Sequence, residues 1–135
     1  MIRDFQPEDT DAIISIHKTQ GLDYDLGDIT NPLFLVKKVR VVDGRVVAAM
    51  CLRLTCETFL LVEGSPETKA RSIMELQPEV LREAYEKGLA DVVCVVPPEI
   101  SASFAPVLAR MGWKRDRDWP MWSRELNEKC DGAGG

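Results

Sequence analysis

Between Cys56 and Val96 the chain reads strand, turn, helix and strand, and no other stretch restricts the fold as much. The short apolar run Thr58–Val62 has strand length and strand composition. The cluster Glu63-Gly64-Ser65-Pro66 marks a turn. Ile73, Leu76, Val80, Leu81 and Ala84 then fall near one face of a helix. The run Ala90–Val96, ADVVCVV, has the composition of a strand buried on both faces, as in a parallel pair. Two such strands joined through a helix form a crossover unit, the connection that parallel pairing requires. The fold class is therefore α/β. A strand and turn leading into a helix start also make a ready anion site, because the first helical N–H groups lack partners and the dipole favours negative charge. Within this helix Pro78 predicts a kink near Gln77, or a break with a restart at Glu79. Gly88 stands where a helix C-terminus favours glycine.

The preceding half is built from shorter signals. Ile2–Phe5 is a candidate strand. Pro7 suits a first helical position, and Glu8, Asp9 and Asp11 complement the helix dipole, which predicts a helix from about Pro7 to Thr19. Gly21 to Pro32 is a loop or short second helix. Its Asp23, Asp25 and Asp28 lack the glycine and distal glutamate of a calcium loop. Leu33–Asp43 and Arg45–Leu54 are strand-like runs around Asp43-Gly44, a strong hairpin signal. Thr55–Val62 continues as the next strand.

After the crossover, Pro97-Pro98 stops the strand, and Ser101 or Ser103 is positioned to cap the next helix. Phe104, Val107, Leu108 and Met111 share a face of that helix, and Gly112 ends it. Final strands are expected near Trp113–Arg117 and Met121–Leu126. Residues 127–135 are polar and glycine-rich, a frayed tail. Trp113, Trp119, Met121 and Trp122 offer either core or a contact surface.

At 135 residues the chain is expected to form one domain over 1–126, with 127–135 as a flexible tail. A net charge of −5 argues against nucleic acid as partner. The clusters Lys37-Lys38-Arg40 and Lys114-Arg115-Arg117 are short and read as solvated faces. No apolar run approaches the ~18–20 residues of a membrane span. The polar start MIRDFQPEDTD is neither signal nor transit peptide, so the expected compartment is the cytoplasm. Cys51, Cys56, Cys94 and Cys130 show no C-x-x-C spacing, and the lone His17 is far from them in sequence. Cys51, Cys56 and Cys94 are expected to be reduced thiols in apolar runs, and no metal is expected.

The order of these elements resembles the GNAT superfamily of acyl-CoA-dependent N-acyltransferases, from Ile2 to Leu126. The family run P-E-x-R-G-x-G-x-G is matched by Pro66-Glu67-Thr68-Lys69-Ala70-Arg71-Ser72-Ile73-Met74, with Ala70, Ser72 and Met74 in place of small glycine-type positions. VLARMGW is similar to the family's closing helix and its L-G-F. The resemblance implies a GNAT-like, mixed and largely antiparallel sheet with helices on both faces. It implies acetyl-CoA as cofactor, held by Val62, Lys69, Ala70, Arg71, Ser72 and Ile73. It implies transfer of an acetyl or other acyl group to a small-molecule or protein amine. Glu57 and Glu63 are the candidate catalytic bases. The family's general acid is a tyrosine, and Leu108 stands at its position, unable to donate a proton. Family members begin in the same way, and the acidic loop after the first helix would border the acceptor. The alternative function is a catalytically silent GNAT-like module for binding or assembly, of the structural or phage-associated kind.

Overall fold

The computed structural model describes residues 1–115 and 118–128. By its contacts the chain divides into two compact units, Met1–Val95 and Val96–Gly135. Their boundary falls inside the stretch 1–126 that the sequence treats as one domain. Residues 129–135 of the expected tail, Cys130 among them, lie outside the described residues.

In the first unit β1 (Ile2–Asp4), β2 (Phe34–Val42) and β3 (Arg45–Arg53) form an antiparallel sheet in the order β1-β2-β3. The hairpin between β2 and β3 is the expected one. Asp43 and Gly44 have φ of 50° and 74°, and Val42 pairs with Arg45 across them. Two successive left-handed residues give the turn that matches strand twist, and glycine adopts that conformation without a Cβ penalty. A 3-10 turn at Pro7–Asp9 leads into α1 (Thr10–Gln20), which packs against β3.

The core sits between α1 and one face of this sheet. It consists of Ile13, Ile29 and Val39, ringed by Phe5, Leu26, Val41, Val46 and Cys51. Ile29 and Leu26 come from the irregular connection after α1, not from a regular element. Lys37 holds that connection in place. Its Nζ donates to the Ile29 carbonyl at 3.0 Å and lies 4.6 Å from the centre of the Phe5 ring. Arg3 forks onto the buried Asp9 at 2.7 and 2.9 Å, and the Gln6 N–H donates to the same carboxylate at 2.8 Å. These donors hold the Asp9 carboxyl down to about 2, the Arg3 hydrogen bonds contributing most.

The crossover is also present, in a shorter form than expected. β4 (Cys56–Glu57) and β5 (Val92–Val93) pair in parallel as a separate sheet, with α2 (Pro66–Glu86) between them. The expected strand at Thr58–Val62 is therefore corrected: Thr58 donates a last N–H to the Val93 carbonyl at 2.7 Å, and Phe59–Val62 run free of any ladder. The strand expected at Ala90–Val96 is likewise reduced to Val92–Val93, and Val93 and Val95 are exposed. A parallel pair lacks a closing turn and persists where both faces are covered. Here α2 buries no residue, so the pairing survives only at its base. There Arg53 at the end of β3 donates to both carboxylate oxygens of Asp91, at 3.2 and 3.0 Å, and ties the two sheets together. Among the described residues the five strands thus belong to two sheets, where the resemblance implies one mixed sheet.

Of the two outcomes expected at Pro78, a kink near Gln77 or a break with a restart at Glu79, the break does not occur: α2 runs through Pro78 as one helix. The carbonyl that Pro78 leaves without its usual donor belongs to exposed Met74, where water can satisfy it. The helix ends as predicted: Gly88 N–H donates to Tyr85 O at 2.9 Å and Leu89 N–H to Ala84 O at 3.1 Å, a Schellman closure.

In the second unit, α3 spans Pro98–Arg110. Ser101 and Ser103 do not cap it. The helix starts earlier because Pro98 already fits a first helical position, and the Ser103 hydroxyl donates back to Ile100 O at 3.0 Å. The end repeats the Schellman closure, with Gly112 N–H on Ala109 O and Trp113 N–H on Leu108 O. Trp113–Arg115 and Met121–Leu126 are irregular where strands are expected, and Arg117 lies outside the described residues. Among the described residues of this unit no strand offers a ladder partner. No helix among the described residues is long and apolar enough to cross a membrane.

Candidate functional site

The end of β4, the connection to α2 and the first turns of α2 bring most of the candidate residues onto one continuous stretch. Its geometry follows from local chemistry. Gly64 has a φ of 115°, and a Cβ built there would lie 3.2 Å from Thr68 Cγ2, so both the backbone and the close approach favour glycine. Ser65 is extended, with φ −64° and ψ 160°, and Pro66 follows at the first helical position. Ser65 Oγ accepts the Thr68 N–H at 3.2 Å and lies 3.0 Å from Thr68 Oγ1, and Ser65 O accepts the Lys69 N–H at 2.9 Å. Ser65 is thus the N-cap, a role the pattern of serine immediately before Pro66 signals and the turn assignment alone does not.

Of the expected cofactor residues, Lys69, Ala70 and Arg71 are exposed, and Val62, Ser72 and Ile73 are half-buried. The Ser72 hydroxyl donates to Thr68 O at 2.8 Å, so it is engaged within its own helix. The side chains of Lys69 and Arg71 carry no hydrogen bond or ion pair among the described residues. The backbone donors of a glycine-rich cradle are another matter: α2 already begins at Pro66, so residues 69–73 lie inside the helix. An anion here would meet the free side chain of Lys69 or of Arg71, which stand two residues apart on different sides of the helix, more readily than a nest of N–H groups.

Glu57 sits on β4 opposite Val93, and Glu63 sits in the connection just before Gly64. Both are exposed. Leu108 lies in α3 and its side chain cannot donate a proton. His17 on α1 packs edge-on against the Tyr24 ring, with centroids 4.6 Å apart, and its Nε2 has no hydrogen-bond partner among the described residues. Cys51, Cys56 and Cys94 are free thiols. Burial pushes Cys51 and Cys94 up from the ordinary thiol value, which disfavours the nucleophilic thiolate. Asp25 accepts the Gly27 N–H, and Asp28 accepts the N–H and hydroxyl of Thr30, so these aspartates fold their own loop. Among the described residues no cluster of His, Cys, Asp or Glu could hold a metal ion.

No protein-family model, no curated protein and no solved structure matches this chain.

Proposed function

We propose that the chain is a GNAT-like domain that binds an acyl-CoA thioester, acetyl-CoA foremost, and transfers its acyl group to an amine. The observation that carries this reading is a parallel pair whose ladder ends at Thr58, after which the chain runs through residues 59–65 into a helix start. After Thr58 and Val93 the two chains leave their ladder, and the first then leads into α2 with Lys69 and Arg71 unpaired at its start. In the GNAT arrangement a gap between these two strands beyond their last bond admits the pantetheine arm beside the pyrophosphate site. Acetyl-CoA supplies an activated acyl group as a thioester. Lys69 and Arg71 would hold its phosphates through their side chains, from different sides of α2, in place of the glycines replaced by Ala70 and Ser72. Glu57 or Glu63 takes the proton of the attacking amine, and with Leu108 at the acid position the thiolate takes its proton from solvent.

A second reading is a catalytically silent GNAT-like module. It is favoured by the Ser65 cap, which already occupies the Thr68 N–H. Calorimetry with acetyl-CoA separates the two. Micromolar binding that weakens in both Lys69→Ala and Arg71→Ala is the expected result. No heat at millimolar cofactor overturns the transferase reading and leaves the silent module.

A further inference from the structure

Within the unit Met1–Val95 one long sheet edge stands open, and one strand-like run has no ladder. The open edge is β3. The Phe5 N–H donates to Lys37 O at 3.1 Å and the Val41 N–H to Met1 O at 2.8 Å, so Lys37, Val39 and Val41 turn their backbone groups toward β1. By alternation Lys38 and Arg40 bond to Met50 and Ala48, and Ala49 and Cys51 present their N–H and C=O groups outward. No backbone partner meets them there among the described residues. Edge strands are usually blunted by lysine, proline or other charge. Val46–Leu52 reads VVAAMCL and carries none of these. After a register shift beside Arg40, Ala48–Leu52 pair with β2 without a break.

The run without a ladder is Phe59–Val62, with Phe59 76% and Leu61 88% exposed. The Thr58 N–H points to Val93 O, so in an extended run Phe59 and Leu61 turn their backbone groups the other way. Laid antiparallel, Thr58–Val62 matches Ala48–Leu52 in length, and Phe59 and Leu61 fall opposite Cys51 and Ala49. The end charges agree with this register. Glu57 and Glu63 bracket the run, and Arg45 and Arg53 bracket the edge. Arg53 is held by Asp91, but Arg45, Glu57 and Glu63 carry no ion pair or side-chain hydrogen bond among the described residues. The pairing sets Glu63 beside Arg45. Within one copy the two segments share no ladder. Leu54 N–H is held by Leu33 O at 2.7 Å and Cys56 pairs with Val92, so Thr55 alone connects them, shorter than the common two-residue hairpin loop.

We propose that the chain forms a two-fold dimer by strand exchange, in which Thr58–Val62 of each copy pairs antiparallel with the β3 edge of the other. Each copy supplies the strand that the other lacks, so both β3 edges are filled and neither is left for further growth. Main-chain hydrogen bonds supply the contact, as in other strand additions, and the Arg45–Glu63 pairs fix its register. The connection at residues 58–65, between β4 and α2, is neither strand nor helix over its length, which suits an exchanged arm. The pairing uses the side of the run turned away from Val93, so it stands whether or not a cofactor enters between the two.

The test is sedimentation equilibrium of the full chain over a range of concentrations, with Ala49→Pro, Arg45→Glu, Glu63→Arg and an equimolar mixture of the last two. Ala49→Pro removes an outward donor and leaves the bonds to β2 in place. Arg45 and Glu63 are exposed within one copy, so the charge variants remove no core and test the proposal even where proline disturbs the sheet. The expected result is a monomer–dimer equilibrium in which Ala49→Pro associates about tenfold or more weakly. Each charge variant alone should associate about threefold or more weakly, because its two contacts then oppose like charges. The mixture should recover wild-type association, because both contacts of the mixed dimer pair opposite charges. A chain that is monomeric at every concentration overturns the proposal. So does a dimer that the charge variants leave unweakened, or a mixture that associates no better than its two components.

Discussion

The hairpin half of the first unit and its crossover half meet their long-range requirements in different ways. In Ile2–Arg53 every strand finds its neighbour through antiparallel ladders, and the pivotal joint is a two-residue turn whose conformation is written in Asp43-Gly44. In Cys56–Val93 the strands are separated by a 21-residue helix and meet over two residue pairs. Ile13, Ile29 and Val39, the buried apolar residues among those described, all belong to the first half, and α2 contributes none. Local pairing asks little of loop closure, whereas a parallel crossover must be repaid by burial. Where that burial is absent, the ladder shrinks to its base.

The largest expected effect exploits this contrast. Ile29→Ala empties a site that is 2% exposed and should cost about 2–5 kcal/mol in denaturant unfolding. Leu76→Ala, on the open face of α2, should stay within about 0.5 kcal/mol. Equal costs would mean that the two halves are covered to the same degree, and the contrast would fail.

Acid should break the first half in its own pH window. The Asp9 carboxyl lies at about 2 in the fold against an ordinary 3.8, so the folded state binds its proton less readily than the unfolded one. Its stabilising contribution is therefore complete above the ordinary value and is lost as pH falls from about 3.8 toward 2. Thermal melts followed across this range should show that loss in the wild type. Asp9→Asn should be less stable at neutral pH and show less of the acid-linked decline, because an amide at this position has no carboxylate to protonate.

The antiparallel sheet and α1 were legible because each rests on a local signal: Pro7 with its acidic turn, the Asp-Gly pair, and alternating valines. Both helix ends at Gly88 and Gly112 were legible for the same reason. Ile29 was not, since nothing local tells an isoleucine in a polar loop that Lys37 will fold the loop onto a sheet. Thr58–Val62 misled in the opposite sense. Its composition fits a strand, yet composition cannot supply a ladder partner, and Phe59 and Leu61 remain exposed. For the candidate site, the turn cluster at Glu63–Pro66 was legible, whereas the crossover helix read over 72–87 starts earlier, at Pro66. The serine cap that closes part of it was obscured because the same Glu63–Pro66 cluster also satisfies the rules for a turn.

That cap carries a smaller effect than the core site at Ile29 and the sharpest one for function. Ser65 Oγ satisfies the Thr68 N–H, so Ser65→Ala should cost about 1 kcal/mol, felt in α2 and not in the hairpin half. Hydrogen exchange should show faster amides in the first turns of α2 and unchanged amides in β2 and β3. The same substitution uncovers a backbone donor beside Lys69 and Arg71, where an anion would sit. If the helix start is a phosphate site restrained by its own cap, acetyl-CoA should bind Ser65→Ala at least as tightly as the wild type despite the frayed helix. If the start of α2 is only a capped helix, the substitution should loosen the turn and leave the cofactor titration flat. One variant then reads both halves of the comparison, because stability and binding move in opposite directions only where the cap competes with a ligand.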